Sequence, residues 1–145
     1  MHLPAAGHPP LCGAAVGPLL DRVDIRFGLL RVSRVPGLAE SETVSTSAAR
    51  ERVAEARDRA ARRLRETPWR VNAHISGSWL RQGPLALAVD LRRPLDAALQ
   101  RGALTLRGYD RTLRVAWSIA DLAGRDRPSG EDIGRALFLR KGVTA

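Results

Sequence analysis

Apolar side chains recur at helical spacing along residues 105–123, "TLRGYDRTLRVAWSIADLA". At 100° per residue, most of them fall on one broad arc and three arginines fall on the opposite arc. Gly124 follows as the residue expected to end the helix. The pattern predicts a core face formed by Leu106, Tyr109, Leu113, Ala116, Trp117, Ala120 and Ala123 and an opposite face formed by Arg107, Arg111 and Arg114.

A second helix is predicted upstream, beginning at a cap supplied by Thr46 or Ser47 and stopped by Pro68. Arginines crowd its last turns, where they complement the helix dipole. Its apolar positions make only a thin stripe, so this helix should pack on one side and expose a basic surface on the other. The stripe consists of Val53, Ala56, Ala60 and Leu64.

Two shorter helices complete the predicted bundle. Pro94 suits the first position of a helix that runs through Arg101 and ends at Gly102. Ser129 and Asp132 have the spacing of a capping box at the start of the last helix. The residues of that helix expected to face the core are Ile133, Ala136 and Leu137.

The N-terminal region has a different pattern. Residues 1–17 are rich in Pro and Gly and predict irregular structure. Residues 23–29 alternate apolar and polar, which predicts a strand that pairs with something absent from this chain or is only weakly ordered. The stretch "LALAVD" resembles the strand and acid of a nucleotide-hydrolysing site, but no second acid follows, so Asp90 is interpreted as a cap or surface residue.

Composition narrows the function classes. The 145 residues carry a net charge of +9, which favours polyanionic partners but also fits a solvated arginine-rich surface. Aromatic residues are only 4%, consistent with packed helices. Cys12 is the single cysteine, and His2, His8 and Cys12 lack a fourth ligand, so neither a disulfide nor a metal site is expected. Without an apolar run long enough for a membrane span, the chain is predicted to be cytoplasmic.

The chain lacks the elements of a self-contained enzyme. A P-loop needs a lysine between glycine and Ser or Thr, whereas Lys141, the only lysine, lies between Arg140 and Gly142. There is no G-x-S-x-G or H-E-x-x-H motif either. We therefore expect no catalysis by this chain alone.

Two stretches, "GPLLDRVDIRF" and "LTLRGYDRTLRVAWSIADLAGRDRPSGEDIGRALFLR", closely resemble the C-terminal part of Mg-chelatase-like AAA+ ATPases of the ComM/YifB type. The resemblance runs from about residue 17 to residue 142. It implies a mainly α fold, with a remnant of the α/β ATPase core over 1–40 and a helical lid domain over 41–145. The start of the chain keeps little of the family's cysteine-containing segment, which suggests a truncated fragment that is not necessarily functional.

The resemblance also implies roles for particular arginines. Arg22, in the LLDR element, corresponds to an arginine finger that reaches a neighbouring subunit's ATP. Arg107 is the first choice for the sensor arginine and Arg114 the second, with Arg107 and Arg111 as the arginines that contact the nucleotide. ATP and Mg²⁺ would bind only when the upstream core is supplied, and the partners would be that core or homologous subunits in a hexameric ring linked to DNA processing.

Other interpretations stay open. Arg22 could pair with Asp21 or Asp24, and the three arginines of the 105–123 helix could form a solvated face with Asp110 and Asp121 as partners. Trp117 and Tyr109 are expected in the core rather than as base-stacking platforms. A stand-alone basic module could bind nucleic acid non-specifically, and a metal-chelatase role is disfavoured because no tetrapyrrole or magnesium site is evident. The nucleic-acid contacts would come from Arg57, Arg62 and Arg63.

Overall fold

Helices account for nearly all regular structure in the computed structural model, which describes residues 21–26, Gly28 and 44–141. A 3₁₀ turn, Asn72–His74, lies between the first two helices. No strand occurs within these ranges, and the predicted mainly α fold is confirmed. The helices are α1 (Thr46–Arg63), α2 (Gly77–Gln82), α3 (Val89–Gln100), α4 (Leu106–Leu122) and α5 (Gly130–Lys141).

Helix α4 is the centre of the bundle, because every other helix and the 3₁₀ turn contact it. Its N-cap is Thr105, whose hydroxyl accepts a hydrogen bond from the Gly108 N–H at 3.0 Å. Gly124 follows the C-terminus with φ of 74°, as the pattern predicted. The side chains buried around the helix axis include Leu64, Ile75, Leu80, Leu95, Leu113, Trp117 and Ile133.

The predicted core face of α4 is correct in its middle and wrong at its ends. Tyr109, Trp117 and the residues between them on that arc are buried, which confirms Trp117 and Tyr109 as core residues. Leu106 is 51% exposed and Ala123 is exposed as well. Both lie at the ends of the helix, and helical periodicity alone does not show how far the neighbouring elements extend along it.

Helix α1 begins one or two residues earlier than predicted from a cap at Thr46 or Ser47. Ser45 is the N-cap, and its hydroxyl accepts a hydrogen bond from the Ala48 N–H at 3.2 Å. Three residues of the predicted stripe are buried, whereas Val53 is 41% exposed. The first turns of α1 therefore extend beyond the elements that cover its later turns.

Helix α3 differs most from its prediction. It starts at Val89 after Ala88, so Pro94 lies inside the helix rather than at its first position. Proline cannot donate to the carbonyl of Asp90 four residues earlier, but both residues are exposed, so water can satisfy that carbonyl. Gly102, with φ of 68°, ends the helix as predicted. Asp90 is confirmed as a surface residue and pairs with Arg93 at 2.7 Å.

The strand predicted over residues 23–29 is wrong for the part that the structure describes. Residues 21–26 form a turn followed by irregular backbone. No neighbouring strand is available in the described ranges, and the Arg26 N–H donates instead to the Leu139 carbonyl of α5 at 2.8 Å. Phe27, residues 1–20 and residues 29–43 lie outside the described residues, which leaves most of the predicted 1–40 core remnant untested.

A buried polar network joins α1 and the 3₁₀ turn to the C-terminal half of α4. Arg63 donates to both carboxylate oxygens of Asp121, at 2.6 and 2.8 Å. Asn72 donates to the same carboxylate at 2.8 Å and accepts from Arg63 at 2.9 Å. The guanidinium of Arg63 also lies 4.3 Å from the centre of the Trp117 ring. Asp121 is 1% exposed, so its carboxylate oxygens are satisfied by these partners rather than by water.

The predicted capping box at the start of α5 is confirmed. A carboxylate oxygen of Asp132 accepts from the Ser129 N–H at 2.8 Å, and the Ser129 hydroxyl accepts from the Asp132 N–H at 3.3 Å. Arg125 forms an ion pair with the other carboxylate oxygen. Burial raises the pKa of Asp132, but the hydrogen bonds from Ser129 and Arg125 outweigh it and hold the pKa below its usual value.

Replacing Asp121 by alanine should strongly destabilise the fold, because it leaves the Arg63 charge buried without its partner. We expect a loss of about 3–5 kcal/mol in the free energy of unfolding, measured by urea denaturation. The matched control, Asp126→Ala, removes an exposed carboxylate and should stay within about 0.5 kcal/mol of wild type. An Asp121→Ala variant as stable as the control would show that the network contributes nothing to the fold.

Acid should weaken the start of α5 through Asp132. A carboxyl whose pKa is lower in the folded state than in the unfolded state stabilises the fold above its unfolded pKa of about 4, and that contribution is lost as pH falls through the folded pKa. Melting temperatures measured from about pH 6 downwards should therefore fall less steeply in Asp132→Asn than in wild type. Equal slopes for the two proteins would contradict this assignment, and Asp126→Asn serves as the exposed control.

Candidate phosphate-binding arginines

The turn that carries Arg22 is held against the ends of α4 and α5. Arg140, near the C-terminus of α5, donates to the Asp21 carboxylate at 2.7 Å and to the Asp21 carbonyl at 3.1 Å. Its other terminal nitrogen donates to the carbonyl of Val23. The same carboxylate oxygen of Asp21 accepts from the Thr105 hydroxyl at 2.9 Å. The turn is therefore attached to both helices by one side-chain cluster.

Backbone and charge contacts extend this attachment along residues 24–26. The Arg26 side chain donates to the Arg140 carbonyl at 3.1 and 3.3 Å, beside the backbone bond to Leu139. Asp24 forms an ion pair with Arg111 of α4. Residues 21–26 are thus bound to the bundle although they contain no helix or strand.

Arg22 lies on this turn with its side chain exposed, and it makes no hydrogen bond or ion pair with any residue that the structure describes. The alternative pairing with Asp21 or Asp24 is wrong, because Asp21 is bound by Arg140 and Asp24 by Arg111. Among the described residues, the carboxylates nearest to Arg22 in sequence are thus bound by other arginines.

Arg107 occupies the first turn of α4, two residues after the N-cap Thr105. Its side chain is exposed and, within the described ranges, has neither an ion pair nor a hydrogen bond. Unpaired N–H groups and the helix dipole make the start of a helix favourable for negative charge. Because Asp21 contacts Thr105, the structure brings the Arg22 turn and the start of the Arg107 helix together.

Arg111 and Arg114 have structural partners instead. Arg111 forms the ion pair with Asp24, and Arg114 donates twice to the carbonyl of Ile75, at 3.0 and 2.7 Å. Arg114 also lies seven residues from Arg107, roughly 10 Å along the helix axis. The three arginines are therefore not one solvated face. The partners suggested for that face, Asp110 and Asp121, bind Arg81 and Arg63 respectively.

Comparison with known proteins places the helical part of the chain in a family. The model of the family described as magnesium chelatase, subunit ChlI C-terminal, matches residues 43–140. The chain belongs to this family. Its ChlI-type domain is the C-terminal domain of a magnesium-chelatase-like AAA+ protein. No solved structure matches the chain.

The curated relatives are longer proteins. Uncharacterized proteins of Mycobacterium bovis and Mycobacterium tuberculosis are 47% identical to this chain over 131 residues. The matched region is 89% of this chain but 25% of each relative. The chain therefore spans about a quarter of the length of the curated relatives that it matches.

The arginines predicted to contact nucleic acid do not share one environment in the ChlI-type domain. Arg57 and Arg62 are exposed on α1, as that prediction requires. Arg63 is not on this surface, because its side chain is only 13% exposed and binds Asp121. A cleft of about 680 Å³ beside α1 and α4 is lined by arginines that include Arg52 and by aliphatic side chains. Its lining contains no aromatic ring on which a base could stack.

Sequence reasoning missed the residues that hold the Arg22 turn. Asp21 lies in the LLDR element and Arg140 in the "RALFLR" stretch, so both belong to the segments that carry the family resemblance. The occurrence of both residues in these segments is the sequence feature that could have pointed to them. Nothing in the spacing of two residues 119 positions apart indicates that their side chains meet.

No described helix of the ChlI-type domain combines the length and apolar character needed to cross a membrane. Over the same ranges, no three His, Cys, Asp or Glu side chains are grouped as metal ligands.

Proposed function

We propose that this chain is the lid portion of a cytoplasmic AAA+ ATPase of the ComM/YifB type. Arg22 acts as the finger that reaches a neighbouring subunit's ATP, and Arg107 acts as the sensor arginine over the γ-phosphate of its own subunit. An upstream core carrying the P-loop holds ATP with Mg²⁺. The assembled subunits form a ring, a hexamer by family resemblance, which moves DNA during processing such as branch migration.

One observation carries this proposal: Arg22 and Arg107 are exposed and unpaired in the described structure, and their elements meet at Asp21 and Thr105. Arg111 and Arg114, on the same helix, are bound by protein groups. The structure therefore favours Arg107 over Arg114 as the sensor and does not favour Arg111 as a nucleotide contact. Guanidinium groups stabilise the charge that spreads over the phosphate oxygens in the transition state.

Hydrolysis on this proposal requires more than this chain. The P-loop motif is absent from its sequence, and the chain corresponds to only a quarter of its relatives' length. The domain contributes arginines to sites whose phosphate-binding loops lie elsewhere. Its helices supply the rigid support that keeps those arginines in place.

The direct test is ATP hydrolysis by this chain alone and after combination with the upstream core. We expect turnover only in the combination, and a loss of roughly 10³-fold or more in kcat for Arg22→Ala, the range expected of an arginine finger. Arg107→Ala should lower kcat by about 10²–10³-fold, as for loss of one preorganised donor. The control, Arg65→Ala, removes an exposed arginine beyond the C-terminus of α1 and should leave kcat unchanged.

Two results would contradict the proposal. Turnover by the chain alone would place a complete site within these 145 residues. Full turnover in the combined protein carrying both Arg22→Ala and Arg107→Ala would show that neither arginine meets phosphate.

A second candidate function is non-specific nucleic-acid binding by α1. It is favoured by exposed arginines along that helix, Arg50, Arg57 and Arg62, and by the net charge of +9. Because the adjacent cleft offers no aromatic ring, such binding would use phosphate contacts rather than base stacking.

Salt titration of DNA binding tests this second function. If α1 contacts phosphates, the logarithm of the affinity should fall linearly with the logarithm of the salt concentration. The double variant Arg57→Gln/Arg62→Gln should make this negative slope shallower by about 2. Arg101→Gln, an exposed arginine after α3, is the control and should leave the slope unchanged. A slope that the double variant does not alter would exclude α1 as the contact surface.

A further inference from the structure

Arg140 is buried where three elements meet, namely the turn of residues 21–26, the start of α4 and α5. Its side chain is 10% exposed, and its terminal nitrogens reach three acceptors on the turn of residues 21–26. These acceptors are the carboxylate and carbonyl of Asp21 and the carbonyl of Val23. A lysine, with one nitrogen, could not span this arrangement in the same way.

Asp21 connects this guanidinium to the start of α4. One carboxylate oxygen accepts from both Arg140 and the Thr105 hydroxyl, at 2.7 and 2.9 Å. The Thr105 oxygen in turn accepts from the Gly108 N–H and so caps α4. A continuous chain of hydrogen bonds therefore runs from α5, through the residue next to Arg22, to the helix turn that carries Arg107.

Gly108 provides the space for this cluster. A Cβ atom at this position would lie 2.9 Å from a Leu104 methyl group and 3.4 Å from a terminal nitrogen of Arg140. The guanidinium of Arg140 therefore lies close to the first turn of α4, at a position where Leu104 and the Thr105 hydroxyl leave little room for a side chain. Gly108, the Thr105 cap and the Arg140–Asp21 ion pair therefore meet at one point, where the turn contacts α4.

We propose that Arg140 and Asp21 are positioning residues for Arg22, which fix the turn of residues 21–26 to the first turn of α4. This inference rests on the proposed function, in which Arg22 and Arg107 serve different nucleotides. The Arg140–Asp21 pair then keeps the two arginines at a constant separation, so that a movement of the lid displaces both together. Neither positioning residue itself meets phosphate.

The proposal first predicts a local change in structure. The helices pack through their own apolar core, whereas residues 21–26 depend on polar contacts. In Arg140→Gln, hydrogen exchange of the Arg26 N–H, which bonds to the Leu139 carbonyl, should accelerate at least tenfold. Exchange of amides in the middle of α4 should stay the same. Unchanged exchange at Arg26 would overturn the inference, because the turn would then be held without Arg140.

The functional test is a double-mutant cycle on ATP hydrolysis by this chain combined with its upstream core. We expect Arg140→Gln to lower kcat at least tenfold in the wild-type background and to cause no further loss in the Arg22→Ala background. In the Arg107→Ala background, Arg140→Gln should lower kcat by the same factor as in the wild-type background, because α4 keeps its own cap and core. Asp21→Asn, which removes the charge with little change in shape, should show the same pattern with a smaller loss, and Arg140→Lys should partly restore kcat.

The outcomes separate this inference from the proposed function. If Arg22→Ala leaves kcat unchanged, the finger role fails and the positioning role fails with it. If Arg22→Ala lowers kcat and Arg140→Gln does not, only the positioning role is overturned. The same holds if the double variant loses kcat by the product of the two single losses. Arg135→Gln, an exposed arginine on the same helix as Arg140, is the matched control and should leave kcat at the wild-type value.

Discussion

The fold depends on one constraint, which is that the central helix α4 is surrounded by other elements while carrying polar side chains on several sides. Buried polar groups must find partners inside the protein. Five polar residues of α4 each bind a different neighbouring element, so that satisfying them also ties those elements to the central helix. The links are Tyr109 to Asp96, Asp110 to Arg81, Arg111 to Asp24, Arg114 to the Ile75 carbonyl and Asp121 to Arg63.

This constraint explains why three arginines at helical spacing have different roles. Arg114 lies where the chain passes α4 after the 3₁₀ turn, and it satisfies a carbonyl there. Arg111 lies beside the turn of residues 21–26 and meets a carboxylate. Arg107 lies in the first turn, beyond those contacts, and stays exposed. Position along the helix, rather than the face shared by the three residues, decides which guanidinium has no partner among the described residues.

The sequence predicted features that depend on neighbouring residues and missed those that depend on distant ones. Helix periodicity, the glycines at 102 and 124 and the Ser129–Asp132 box are local, and the structure contains all of them. The burial of Arg63 and the capture of residues 21–26 by Arg140 require contacts between remote segments, which no spacing encodes. The candidate site was reached through family resemblance, since periodicity alone could not distinguish Arg107 from Arg111 and Arg114.

The contact between Asp21 and Arg140 also bears on how the protein acquires its final shape. It closes a loop of 119 residues, so it carries a large entropic cost of closure and can form only after α5 exists. At ribosomal rates of 5–20 residues per second, roughly 6–24 s separate the synthesis of the two residues. Helices α1 to α4 can assemble locally before then, whereas α5 and the segment bearing Arg22 acquire their places last, so a nascent chain has a partly formed bundle before residues 21–26 are fixed to it.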